Sequence, residues 1–280
     1  MSLARRPGPT VRVSVTETTG DDERVHEDRL VTEEPLELRL TWPGSPAARA
    51  WVTMRTPGHD FELAAGWATH EGLVEAGAAG QVRSVAYCTD TDLTPDQEFN
   101  VVTLTLAAPP RVDVTHRHSG SGGFGAGSAC GVCGKDSIAA VLDVPRAPAW
   151  TGPLPHVDVV RRLPDLLRER QAVFERTGGV HAAGLATADG ELLVVREDVG
   201  RHNAVDKVTG SRVLAGENPA EAVLVVSGRA GFELVQKAVA VGTGSLVAVG
   251  APTSLAVHLA REAGLALYGF TRPQRTVRYA

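Results

Sequence analysis

Cys130-Gly131-Val132-Cys133-Gly134 follows a glycine-rich run, Gly120 to Gly127, and carries two of the three cysteines in the 280-residue chain. A C-x-x-C pair brings two thiols within bonding reach, and flanking glycines let the backbone bend without a Cβ penalty, so both sulfurs can face outward. Such a loop suits handing a group over. The structural alternatives are half of a zinc site or a disulfide, and the motif alone leaves both open. His116 and His118 upstream would complete a Cys2His2 set, but the spacing is irregular for a finger and a glycine loop is poor scaffolding for metal. Cys88 closes a strand-like segment and reads as a small buried apolar residue.

Three further segments concentrate polar chemistry at expected strand-to-helix junctions. The first is Arg196-Glu197-Asp198-Val199-Gly200-Arg201-His202-Asn203-Ala204. Gly200 is expected to permit a tight turn, and the amides after it to receive an anion beside Arg201 and His202. A capped helix start with a solvated charge cluster explains it equally well. In the second, Ser227-Gly228-Arg229-Ala230-Gly231-Phe232-Glu233, small residues before a helix form a phosphate cradle or a plain β-to-α turn, with Arg229 as the charge. The third is Phe270-Thr271-Arg272-Pro273-Gln274-Arg275. Two guanidiniums three residues apart, stiffened by Pro273, suit a pyrophosphate, and Phe270 suits stacking on a base, although a solvated basic tail has the same composition.

Neither a Walker loop nor a G-x-G-x-x-G is present, which argues against nucleoside-triphosphate hydrolysis and nicotinamide chemistry. His181-Ala182-Ala183 is similar to the H-x-E of zinc nucleobase deaminases, but Ala183 stands where the general acid/base glutamate belongs, and the cysteine pair precedes the histidine. Deamination is therefore not expected.

The elements that would position these residues fall in two regimes. Val11–Val15, Leu36–Trp42, Ala50–Arg55, Val82–Cys88 and Val101–Leu106 read as strands, interrupted by one helix from an Asp60 N-cap to about Leu73. Pro109-Pro110 and the glycine run mark a boundary. Helical segments follow near Lys135–Leu142 and Val157–Phe174. Strands Leu192–Arg196, Ala222–Val226, Leu246–Val249 and Leu265–Phe270 then alternate with helices after His202, Gly231 and Thr253. The expected fold class is α/β: a smaller strand-rich α+β domain over 1–114, a glycine-rich loop with the C-x-x-C over 115–134, and an α/β domain with a largely parallel or mixed, covered sheet over 135–280. Ligands of such sheets gather at the carboxyl ends of strands.

Composition fits a soluble globular protein, with 43% apolar and 22% charged residues. A net charge of −5 supplies no basic field for nucleic acid, and no basic amphipathic stretch suits a membrane surface. The N-terminus lacks the apolar segment of a secretory signal, and no apolar run approaches spanning length. Few cysteines and no export signal point to the cytoplasm, where the thiol pair stays reduced.

Ser128-Ala129-Cys130-Gly131-Val132-Cys133-Gly134, Gly179-Val180-His181-Ala182-Ala183, Glu197 through Lys207, and Phe232-Glu233-Leu234-Val235-Gln236-Lys237 together resemble the FdhD family of sulfur carrier proteins required for formate dehydrogenase activity. The likeness runs from Thr56-Pro57-Gly58-His59-Asp60 to Phe270–Arg275. It implies a cytidine-deaminase-like C-terminal domain without deaminase chemistry. It also implies a sulfurtransferase that takes sulfur from a cysteine desulfurase as a persulfide and delivers it to the molybdenum bis(molybdopterin guanine dinucleotide) cofactor before that cofactor enters the formate dehydrogenase catalytic subunit. The family's persulfide-bearing cysteine maps to Cys130, and its cofactor-binding segment to Phe270–Arg275, with Gln274 standing where members often carry glycine. On this reading Cys133 assists at delivery, Lys135 and a following helix favour the Cys130 thiolate, and Arg229, Arg272 and Arg275 hold phosphates, with Gly200-Arg201-His202 adding a contact. The cofactor is then a bound substrate, and no resident metal is expected. Its two nucleotide arms suit a two-fold homodimer. The competing function is a thiol–disulfide oxidoreductase using the same cysteine pair, but the pair lies between two domains, whereas a thioredoxin-like protein carries it just after an early strand.

Overall fold

The computed structural model describes residues 7–77, 80–89, 93–94, 97–110 and 145–280. Cys130, Cys133, Lys135, the expected 135–142 helix and both expected domain boundaries lie outside the described residues.

The chain begins with a hairpin, β1 (Thr10–Thr19) and β2 (Asp22–Val31). β3 (Glu34–Trp42), β4 (Ser45–Arg55), β5 (Val82–Tyr87) and β6 (Val101–Leu106) form a four-stranded sheet in the order β4-β3-β6-β5. Between β4 and β5 runs α1 (Asp60–His70). Leu36, Leu38, Leu40, Val102 and Leu104 alternate with polar neighbours and turn one sheet face onto Leu63, Ala64, Trp67 and Ala68 of α1. Trp67 stacks on Trp51 of β4 with centroids 5.3 Å apart. Asp60 is not the N-cap: its carboxylate accepts the buried Arg55 guanidinium at 3.0 and 3.1 Å and the Tyr87 hydroxyl at 2.8 Å. His59, at φ 57, takes the cap position instead.

The second part is α/β. α2 (Val157–Glu169) and α3 (Ala172–Thr177) replace the single expected helix, with a break at Arg170-Gln171. β7 (His181–Ala186), β8 (Leu192–Asp198), α4 (Arg201–Leu214), β9 (Val223–Val226), α5 (Phe232–Val241), β10 (Ser245–Ala248), α6 (Ser254–Ala263), β11 (Ala266–Arg272) and β12 (Arg275–Arg278) follow. The sheet order is β12-β11-β10-β9-β7-β8; β9, β10 and β11 are parallel, while β7 is antiparallel to both its neighbours. Leu224 and Val226 face α4, α5 and α6, whereas Val223 and Val225 face α2. Coverage on both faces explains why β9 is continuously apolar.

Between the two sheets α1 crosses α4 at a separation only glycine permits. A Cβ on Gly66 would lie 1.8 Å from the Asp206 carbonyl oxygen, and one on Gly210 would lie 1.8 Å from that of Glu62. Polar stitches surround the crossing. Arg196 of β8 grips Glu62 of α1 bidentately at 2.5 and 2.7 Å. His70 Nδ1 lies 2.5 Å from Asp206 Oδ1, which also accepts Lys237 Nζ at 2.6 Å, and Thr209 Oγ1 lies 3.1 Å from His70 Nε2.

This buried cluster makes stability depend on pH. Burial, reinforced by the Lys237 charge, holds His70 below the usual imidazole range. Burial alone would raise Asp206, but Lys237 and His70 outweigh it and hold the carboxyl low. The unfolded chain therefore binds a proton at His70 near pH 6.5 that the folded chain refuses, so the contribution is complete above that pH and is lost below it. Asp206 acts with the same sign below about pH 4. The expected result is a melting temperature that falls steadily from pH 7 to pH 5, with a shallower slope in His70→Gln; an equal slope in that variant would assign the effect elsewhere.

Candidate functional site

The carboxyl ends of β8, β9, β10 and β11 and the amino end of β7 meet along one edge of the larger sheet, because β7 runs against β8 and β9. Above that edge α2 and α3 form a wall, and a cavity of about 520 Å³ opens between wall and edge. Its lining includes Arg168, Gln171 and Phe174 from the wall, His181, Ser227 and Val249 from the edge, and Thr271, Arg272 and Pro273 at one rim. The volume lies within the range of small-molecule and nucleotide pockets.

Local chemistry explains each placement. The first amides of α3, Val173 N–H and Phe174 N–H, each donate at 2.8 Å to the carboxylate of Glu197 on β8, which ties the wall to the sheet. Phe174 carries the Arg168 guanidinium 4.2 Å above its ring centroid. Ala182 N–H donates at 2.9 Å to Ser227 Oγ, joining the start of β7 to the turn after β9. His181 stands beside Gly228, whose Cβ would lie 3.4 Å from its Nδ1. Burial and the charges of Arg201 and His202 push His181 below the ordinary imidazole range, so near neutral pH its ring is uncharged in a positive surrounding.

The expected site residues divide into three groups. Thr271, Arg272 and Pro273 line the cavity. Arg272 and Arg275 face each other directly across a tight hairpin turned by Pro273 and Gln274. Phe270 adopts φ 51 at the β-bulge of this hairpin and lies under Arg275, whose guanidinium sits 5.4 Å from the ring centroid. Phe270 is therefore not part of the lining. The 270–275 segment is also not a solvated tail: it leads into β12, which pairs with β11.

Arg201 and His202 begin α4 beside the cavity, and Arg229 packs against Gly250 in the next turn. Gly200 has φ −94, a conformation open to any residue, so no special turn requires it. Its N–H already donates to the Asp198 carboxylate at 2.8 Å. His202 is buried with Nε2 2.5 Å from Glu233 Oε2, an ion pair that joins the first turns of α4 and α5.

The rest of the Glu197–Lys207 motif is neither an anion cradle nor a solvated cluster. Asp198 and Lys207 form a fully buried ion pair at 2.7 Å. The Asp198 carboxylate accepts Thr56 N–H, Lys207 Nζ donates to Thr56 O, and Asn203 Nδ2 donates to Met54 O. These residues sew the chain after β4 to the larger sheet.

Comparison with known proteins gives this arrangement a lineage. Residues 31–280 match the model of the FdhD/NarQ family. The chain belongs to that family. A sulfur carrier protein FdhD from Mycolicibacterium paratuberculosis is 47% identical over 268 residues, covering 94% of each chain. One of the same name from Streptomyces avermitilis is 48% identical over 254 residues, covering 88% of this chain and 84% of its own. The solved structure of a proposed formate dehydrogenase accessory protein from Desulfotalea psychrophila superposes with a TM-score of 0.74 over 97% of both chains at 20% identity, which shows a shared fold. Among the described residues of this FdhD/NarQ member, no helix is long and apolar enough to cross a membrane.

Sequence reasoning missed Gln171, Phe174, Arg168 and Ser227. A single-helix reading of 157–174 put the first three on an ordinary amphipathic face, and only the break at 170–171 turns them toward the sheet edge.

Proposed function

We propose that this protein is a sulfurtransferase. It accepts sulfane sulfur from a cysteine desulfurase on Cys130 and delivers it to a molybdenum bis(molybdopterin guanine dinucleotide) held against the α/β part, for use by a formate dehydrogenase. The observation that carries the cofactor half is the juxtaposition of Arg272 and Arg275 in direct register at the rim of the cavity. Like charges directly opposite one another destabilise a hairpin, and a pyrophosphate laid across them converts repulsion into charge-assisted hydrogen bonds. The relatives' printed names support the sulfur half.

In the acceptance step the Cys130 thiolate attacks the terminal sulfur of the donor persulfide; the donor's S–S bond breaks, a new one forms on Cys130, and the donor leaves as thiolate. At delivery Cys133 attacks the inner sulfur of the Cys130 persulfide, the terminal sulfur departs to the cofactor, and a Cys130–Cys133 disulfide remains for cellular thiols to reduce. Arg229, Arg201 and His202 add positive charge along the same edge, and Gln274 contributes only turn backbone. A cofactor with two nucleotide arms fits two copies of the chain around a two-fold axis, in the cytoplasm. The sheet order, with β7 antiparallel between β8 and β9, accords with a deaminase-like layer that lacks the catalytic glutamate at Ala183.

The test is incubation with a cysteine desulfurase and cysteine, followed by intact mass and peptide mapping. A single added sulfur on Cys130, lost in Cys130→Ala, is expected, while a disulfide with no sulfur adduct would assign the pair to redox exchange instead. In parallel, Arg272→Ala/Arg275→Ala should weaken binding of guanosine diphosphate about 10- to 100-fold, the loss of one or two charged hydrogen bonds. Unchanged binding would remove the rim arginines from the site.

A further inference from the structure

The inner wall of the cavity holds a polar group without employment. Gln171 is 4% exposed and lines the cavity, yet its Nε2 has no hydrogen-bond partner among the described residues. The position makes this notable, because Gln171 is the residue at the N-cap of α3, where a side chain ordinarily serves the first amides of the helix. Glu197 has taken that task from the neighbouring strand, binding Val173 N–H and Phe174 N–H together. Freed from capping, the carboxamide is left with its donor buried against empty space. An unmade hydrogen bond of this kind costs stability, and burial of such a group at a cavity wall is the pattern of a donor waiting for a ligand acceptor.

We propose that Gln171 is a specificity-determining residue that donates its Nε2 hydrogens to the edge of a purine base seated in the cavity, selecting guanine over adenine. This rests on the guanine-nucleotide reading given above. Guanine presents two acceptors, O6 and N7, along one edge, whereas adenine replaces O6 with an amino donor that meets the carboxamide donor head-on. The neighbouring Phe174 ring with Arg168 above it supplies a flat, polarisable surface beside the same edge, and the Arg272–Arg275 rim stands where the phosphates would leave the cavity.

The test titrates guanosine diphosphate and adenosine diphosphate into the full chain and two variants, with a thermal melt of each. Gln171→Met keeps the length of the side chain and removes the amide. It is expected to bind guanosine diphosphate on the order of tenfold more weakly, to leave adenosine diphosphate nearly unchanged, and to melt at or above the wild-type temperature because an unsatisfied buried donor has gone. Gln171→Glu offers acceptors only and should lose guanosine diphosphate further, narrowing or reversing the preference. Wild-type affinity for guanosine diphosphate in Gln171→Met overturns the assignment, as does equal weakening of both nucleotides or a clear drop in melting temperature, which would mark Gln171 as structural. Failure of the wild-type chain to bind guanosine diphosphate would instead overturn the nucleotide reading itself, and it is read without any variant.

Discussion

Lys207→Met is expected to destabilise the protein by about 3–5 kcal/mol, the range for removing one partner of a buried ion pair. Lys207 Nζ lies 2.7 Å from Asp198 Oδ2, and both side chains are shielded from water. Without the ammonium, Asp198 keeps the N–H donors of Thr56, Gly200 and Asn203 but loses its countercharge in a low-dielectric interior. The Thr56 carbonyl, which accepts Lys207 at 2.8 Å, loses its partner in the same step. Against a total stability of about 5–15 kcal/mol this is a large share, so a fall in the urea midpoint with little change in slope is the measurement to make. Asp198→Asn combined with Lys207→Met should recover part of the loss, because no unpaired charge then remains buried. A double variant whose loss equals the sum of the single ones would show that the pair is not coupled.

The second large effect is expected at the helix crossing. Replacing glycine by alanine inside a helix ordinarily gains about 1 kcal/mol in propensity. At Gly210 the added Cβ would stand 1.8 Å from the Glu62 carbonyl oxygen, where ordinary contact begins near 3.4 Å, and 2.7 Å from Gly66 N. Both obstacles are main-chain atoms of α1, so no rotamer change relieves them and the helices must part. Parting lengthens the His70–Asp206 and Arg196–Glu62 contacts that depend on the same separation. Gly210→Ala is therefore expected to cost about 3 kcal/mol net, the upper end of what overpacking does. Chemical denaturation measures it directly. Ala215→Gly at the C-cap of α4, where no such contact exists, provides the contrast, with a cost within about 1 kcal/mol. A neutral or stabilising Gly210→Ala would mean that the crossing is looser than described.

Both sites bear on function through one route. The buried stitches hold Val199, Gly200 and the start of α4 in place, and Val199 lines the cavity while Arg201 flanks His181. Loss of either stitch should reduce nucleotide binding along with stability, whereas variants at the rim arginines should reduce binding alone.

Alternation and composition sufficed for much of the fold. Leu36–Trp42 and Val101–Leu106 pair in one sheet, and Ala222–Val226, Leu246–Val249 and Leu265–Phe270 contain or overlap the parallel strands, because strong apolar patterns bounded by turn residues admit few other states. β7 was invisible to such reasoning. His181-Ala182-Ala183-Gly184-Leu185-Ala186 is poor in β-formers, and its small residues are required by neighbours: a Cβ on Gly184 would approach Leu192 and Leu167 at 3.1 and 3.2 Å. β12 resembled a basic tail because its pairing with β11 is a long-range fact with little local signal.

The amino-acid sequence by itself determined the family and the reactive motif, since ordered motifs along 56–275 constrain ancestry without any coordinates. It also located the Arg272-Pro273 turn that proved to rim the cavity. Tertiary structure alone decided which charges are available to a ligand. Asp198, Asn203, Asp206 and Lys207 look like an exposed, ligand-ready cluster in sequence, yet they are buried against Thr53–Thr56 and His70, partners more than a hundred residues away. Gln171, an unremarkable glutamine in sequence, is the buried donor left facing the cavity. The reason is physical: residue type sets which bonds a group can make, but whether those bonds are already made depends on neighbours that only the folded chain supplies.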